Sequence, residues 1–282
     1  MTKRAIAVTF ALLVFYSVFV VFLQKKISRT GQNQYDRNVV KAEEYLFEDG
    51  QKADVLILGS SMSSRLVMDS LPANYFNLAM AGMSIYDGVA LLDKSSRKPS
   101  VVLIETNVVL RDLNADLRKD MFDPVSYNTK KYLPILRKKY QPVAVMKALF
   151  RDGLGVKQDA ALFIPPKHIY DQEVASVMKN NQIVPEAALV KRKFEELRNA
   201  VRTLEKKNIR VIFFEMPFYA GAENLQEPTI LRKNFQAYFP ASQYRYIVKP
   251  DDTYETTDGI HLGGTQALRY TKYWQRELTS LL

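Results

Sequence analysis

Short apolar runs bounded by turn-forming residues recur along this chain: "DVLILG" at 54–59, "YFNLAMAG" at 75–82, "SVVLIETN" at 100–107, "NIRVIFFEMP" at 208–217 and "YRYIV" at 244–248. They are continuous rather than alternating and rich in Val, Ile, Leu and Phe, the pattern of strands buried on both faces. Such strands need partners above and below, and the intervening sequence supplies helical patterns at 61–70, at about 84–97 and at 186–208. In the last of these, Leu189, Phe194, Leu197, Val201 and Leu204 form one apolar stripe. The alternation predicts an α/β fold, with parallel strands joined by helical crossovers into a three-layer α/β/α sandwich.

The 282-residue length allows one large domain or two small ones. Ahead of the first run, nineteen uncharged and mostly apolar residues from Ala5 to Leu23 are bracketed by Lys3 and Arg4 on one side and Lys25 and Lys26 on the other. That length crosses a bilayer, so residues 1–26 read as a transmembrane anchor. A cleaved signal peptide would want a shorter apolar stretch and small residues at a cleavage site, which "VVFLQKK" does not offer. The flanking positive charges nearly balance and leave orientation open; the short N-terminal tail favours an N-inside anchor with the remainder outside the cytoplasmic membrane. Residues 27–53 read as a linker with a short helix, "NVVKAEEYLFEDG", stopped by Gly50. The remainder, 54–282, reads as one domain.

One stretch breaks the rhythm. From about 111 to 185 no strand–helix alternation is visible, and prolines recur at 124, 134, 142, 165 and 166. It reads as an irregular insertion at the carboxyl end of the third strand, the sheet edge where ligands bind in open parallel sheets. It holds thirteen Lys and Arg against eight Asp and Glu, in a chain of net charge +10, and its basic run is "KKYLPILRKKY". That run reads either as a solvated face or as a contact for anionic lipid headgroups or an acidic glycan. No nucleic-acid motif, Gly-rich dinucleotide loop or phosphate loop is present. Absence of cysteine removes disulfides and thiolate metal sites, and two separated histidines leave little to hold a metal, so neither cofactor nor metal is expected.

The first run leads directly into "SSMSS", residues 60–64. Serines at a strand-to-helix junction cap helices, but the same place can hold a nucleophilic hydroxyl beside free N–H donors. Activation of a serine usually requires histidine, and the chain has His168 and His261. His168 lies in the irregular insertion. His261 lies in "TDGIHLGG", after the last strand, on the same sheet edge as the Ser60–Ser61 turn, with Asp258 three residues earlier. A carboxylate placed there accepts Nδ1–H and turns Nε2 toward the serine.

In these motifs the chain resembles the SGNH (GDSL-type) hydrolase superfamily. Gly59-Ser60-Ser61 matches its first block with Ser60 in place of the usual aspartate, Gly82 the glycine block, Asn107 the asparagine block, and Asp258 with His261 the Asp-x-x-His block. "ETN" stands where a glycine-rich stretch is usual. The resemblance implies a flavodoxin-like sheet and a catalytic set of Ser61, Asp258 and His261. It implies an oxyanion hole made by the N–H groups of Ser61 and Gly82 and the amide of Asn107. Arg65, one helical turn beyond Ser61, reads either as a contact for an anionic substrate group or as the i+4 partner of Asp69. Glu215, before Pro217, is a further candidate for substrate contact. Membrane-tethered members of the family move O-acyl groups, usually acetyl, on or off exported polysaccharides beside a multispanning membrane acyltransferase. The resemblance therefore implies an extracytoplasmic acyltransferase acting on a polysaccharide, with an O-acetylesterase or a silent scaffold in an export complex as alternatives.

Overall fold

The computed structural model of the chain describes residues 2–23, 33–153 and 165–282. In chain order the elements begin with α1 (Thr2–Leu23), α2 (Gln34–Phe47), β1 (Val55–Leu58), β2 (Tyr75–Asn77), α3 (Ile85–Lys94) and β3 (Val101–Glu105). There follow α4 (Ala115–Phe122), α5 (Pro124–Tyr132), α6 (Pro142–Gly153), α7 (Lys167–Asn181) and α8 (Ala187–Lys206). The chain closes with β4 (Arg210–Phe214), α9 (Gln226–Tyr238), β5 (Arg245–Ile247) and α10 (Gly264–Leu281). It divides into two compact units, one of Met1–Glu48 with Ala115–Gln158 and one of Asp49–Asn114 with Asp159–Leu282.

The larger unit is α/β. Its five strands are all parallel, in the order β2-β1-β3-β4-β5. Each of the five apolar runs supplies one of them, shortened to the residues that pair. β3 is buried throughout and β4 after Arg210, as continuous apolar runs require. Neighbouring residues of β4 face opposite ways and both find aromatic partners. Phe214 meets Trp274 of α10 edge-on, while Phe213 contacts Phe235 of α9 and Phe239 just after it. Of the expected stripe of α8, Phe194, Leu197, Val201 and Leu204 are buried, whereas Leu189 is only half-buried and Val190 is buried beside it. Residues 61–70, expected as a helix, instead form two 3₁₀ turns, Ser63–Arg65 and Met68–Ser70, the first held where Ser63 bonds inward to a carboxylate described below.

The structure corrects the reading of 111–185 as irregular, and divides it, with Ala115–Gln158 in the smaller unit and the rest in the larger. Among its described residues, which exclude 154–164, that stretch is largely helical, and four of its prolines begin or cap helical segments: Pro124 opens α5, Pro134 a 3₁₀ turn and Pro142 α6, while Pro166 caps α7. Proline fits there because the first helical N–H has no intrahelical partner to lose. Residues 115–153 pack with α1 and α2, and Gln34–Phe47, expected within a linker, is the amphipathic helix α2 of this unit. The basic run is not a solvated face either. Lys130 pairs with Glu43 at 3.1 Å, Arg137 with Glu48 at 3.1 Å, Lys138 with Asp36 at 3.0 Å and Lys139 with Glu44 at 2.9 Å. Its positive charge is therefore largely met by the acidic side chains of α2 and Glu48. α1 contains a 19-residue stretch, Thr2–Val20, of mean hydropathy 1.8, long and apolar enough to cross a membrane.

Candidate active site

Parallel strands put all their carboxyl ends on one edge, and β1 lies between β2 and β3, so the chain departs from β1 and returns beside it at β3. Ser60 and Ser61 follow β1, Glu105 ends β3 with Thr106 and Asn107 beyond, and Glu215 and Met216 follow β4. These loops, with the 256–262 loop, border a cavity of about 310 Å³ in the larger unit.

Ser61, His261 and Asp258 come together at its edge. His261 Nε2 lies 2.7 Å from Ser61 Oγ, and His261 Nδ1 lies 2.6 Å from Asp258 Oδ2. Since an ionised carboxylate only accepts, Nδ1 carries the proton and donates, leaving Nε2 to accept from the serine hydroxyl. The other oxygen of Asp258 accepts from the backbone N–H groups of Ile260 at 3.0 Å and His261 at 2.8 Å. Burial pushes the Asp258 carboxyl up, but these hydrogen bonds outweigh it and hold its pKa down at about 2. The carboxylate thus stays ionised and fixes the imidazole.

The loop that carries this pair is held by its own backbone. Thr256 and Leu262 form an antiparallel bridge, and Thr257 N–H donates to His261 C=O at 2.8 Å. Gly259 turns at φ +82°, where a side chain is strained, and a Cβ there would come 3.1 Å from Val177 of α7. α7, the last helix of the expected insertion, therefore rests on this loop, and its Asn180 and Asn181 line the cavity. His168, at the other end of α7, is exposed.

The serine cluster owes its arrangement to a residue the sequence reading passed over. Glu105 is fully buried, and its Oε1 accepts from Ser60 Oγ at 2.8 Å. Its Oε2 accepts from Ser60 N–H at 2.8 Å, from Ser63 N–H at 3.2 Å and from the Ser63 hydroxyl. The serines on either side of Ser61 are thus tied to one carboxylate, and Ser63 C=O is held further by Asn77 Nδ2 at 2.8 Å. Gly59 is required by this approach: a Cβ there would fall 2.4 Å from Glu105 Oε2. The legible signal was a single carboxylate closing an otherwise apolar strand, in "VVLIETN".

Of the three expected oxyanion donors, Ser61 and Asn107 line the cavity, whereas Gly82 sits at φ +74° in an exposed turn outside that lining. Among the described residues, no acceptor is bonded to the backbone N–H of Ser61 or of Gly82. Asn107 exchanges two hydrogen bonds with the backbone of Met216, accepting at 2.8 Å and donating at 2.9 Å, which uses one of its two Nδ2 hydrogens.

Arg65 lies half-buried in the first 3₁₀ turn, outside the cavity lining. Glu215 lines the cavity but is gripped by Arg232 of α9, at 2.9 Å from Nε and 2.6 Å from Nη2. That hydrogen bonding raises the Arg232 pKa against the effect of burial. Arg111 and Glu227 line the far wall, where burial raises the Glu227 carboxyl and Arg111 partly opposes it. The remainder of the wall is apolar, with Met62, Val108, Phe218, Leu231 and Phe235. Among the described residues no group of His, Asp and Glu is placed to hold a metal ion.

Compared with protein-family models, with curated proteins and with solved structures, the chain matches none.

Proposed function

We propose that this chain is a membrane-anchored, extracytoplasmic serine acyltransferase of SGNH type, built as a three-layer α/β/α sandwich with a flavodoxin-like sheet, and that it moves an acyl group, acetyl in the first instance, onto an exported polysaccharide. The observation that carries the reading is the continuous Asp258–His261–Ser61 relay, with contacts of 2.6 and 2.7 Å, at the edge of a cavity. Ser61 Oγ attacks the acyl carbonyl while its proton passes to His261 Nε2. The N–H groups of Ser61 and Gly82, with the free Nδ2 hydrogen of Asn107, receive the oxyanion. His261 returns the proton to the departing group of the donor, leaving acyl-Ser61. A glycan hydroxyl then attacks, gives its proton to His261, and Ser61 leaves with that proton restored. α1 supports the membrane tether, and a multispanning membrane acyltransferase is the proposed acyl supplier. The basic run no longer adds weight to an acidic-glycan contact, because its side chains pair with α2 and Glu48.

The test is acylation of the full-length chain in detergent, with a fluorophosphonate and with an isotopically labelled activated acetyl ester. Wild type should label, and Ser61→Ala and His261→Ala should not. Label then found on added polysaccharide marks a transferase and label found as free acetate an esterase. A folded wild type that never labels removes the enzyme reading in favour of a scaffold.

A further inference from the structure

α6 is apolar on two sides. Ala144, Val145 and Ala148 are buried, and the last two share a cluster with Val20 and Tyr140, packed against by Tyr16 and Ile135. Tyr16 of α1 donates its hydroxyl to Tyr140 C=O at 2.6 Å. Val143, Met146, Leu149 and Phe150 point elsewhere and are 46–67% exposed. At the helical pitch these four span an arc of about 120°, centred nearly opposite the buried residues. An exposed apolar face of this width needs a cover.

Two observations say what covers it. Tyr16 and Val20 belong to the apolar stretch Thr2–Val20, so the side chains packed on them lie at the depth of the bilayer that α1 occupies. The segment before α6 is also sorted by side: Arg137, Lys138 and Lys139 turn to α2 and Glu48, whereas Ile135 joins the α1 cluster and Leu133 and Leu136 are exposed. The exposed leucines and the open face of α6 thus flank a helix whose own apolar side chains, Phe15 and Phe22 among them, are exposed as well.

We infer that α6, with the Leu133–Leu136 turn, is a second membrane contact, lying along the lipid–water boundary beside the C-terminal end of α1 with Val143, Met146, Leu149 and Phe150 among acyl chains. The partner is the lipid itself. The inference rests on α1 as a membrane span and is independent of the acyl chemistry.

The chain has no cysteine, which makes the test direct. Met146→Cys and Phe150→Cys are labelled with an environment-sensitive fluorophore in the full-length protein, reconstituted alone in phosphatidylcholine nanodiscs. Phe10→Cys on α1 and Lys119→Cys on α4 serve as membrane and water references. All sites are exposed, and each labelled protein must keep the circular dichroism of the parent. Nitroxides on the lipid chains should quench positions 146 and 150 to within about twofold of position 10 and leave 119 bright. Quenching of 146 and 150 by an aqueous nitroxide, or by neither reagent as in a protein-covered face, overturns the inference. Failure of lipid to quench position 10 overturns it together with the anchor.

Discussion

Glu105 accepts four hydrogen bonds from the two serines that flank Ser61 and exposes none of its surface. A buried carboxylate is tolerated only when its lone pairs are filled, and here filling them also sets the backbone from which Ser61 projects. Glu105→Gln presents an amide where donors already point. It should cost on the order of 3 kcal/mol in a urea titration. The displaced Ser61 should lower fluorophosphonate labelling about 10²-fold. Asp258 acts at the other end of the relay. Its carboxyl is lowered from 3.8 to about 2, so the stability it contributes is complete above about pH 4 and is lost as pH falls through 2. Asp258→Asn should erase that part of the acid-stability curve between pH 4 and 2. It should also slow acylation by about 10⁴-fold, read by labelling kinetics at neutral pH.

Elements whose sequence pattern reflects burial were the legible ones. β1, β3 and β4 after Arg210 are continuous apolar runs because successive residues, which point to opposite faces, are all buried, and α8 shows its stripe because one face is. The Ser–His–Asp set was legible too, since the chain offers two histidines and the topology of parallel strands sorts them. What escaped were residues whose partners are distant in sequence. The Ser60–Ser64 stretch reads as the start of a helix until Glu105 claims its donors, and prolines 124, 134 and 142 read as breakers although each begins a helical turn. The run 130–139 reads as a free basic face until α2 and Glu48 supply its carboxylates. Glu48, with contacts to Arg137 at 3.1 Å and Lys139 at 3.2 Å, is the test of that pairing. Glu48→Gln leaves Arg137 short of its carboxylate, while Lys139 keeps Glu44 at 2.9 Å, and should destabilise the smaller unit by about 3 kcal/mol. Because the pair is shielded, the loss measured by thermal melting should change little between low and high salt.

At the scale of the molecule, each compact unit is assembled from two separate stretches of chain: 1–48 with 115–158, and 49–114 with 159–282. Neither can be finished when its first stretch leaves the ribosome. Glu48 and its partner Lys139 are 91 positions apart, so at ordinary elongation rates the acidic residues of α2 wait roughly 5–20 s for the cations that neutralise them. β1 and β3 likewise precede β4 by the whole of the intervening insertion. α1 precedes all of these pairings in the chain, and the membrane anchoring proposed for it would hold the incomplete chain at a surface while the later halves arrive. On the proposed anchoring, α1 would serve biogenesis as well as location, since it would keep an unpaired acidic helix and an open sheet edge away from other nascent copies during that interval.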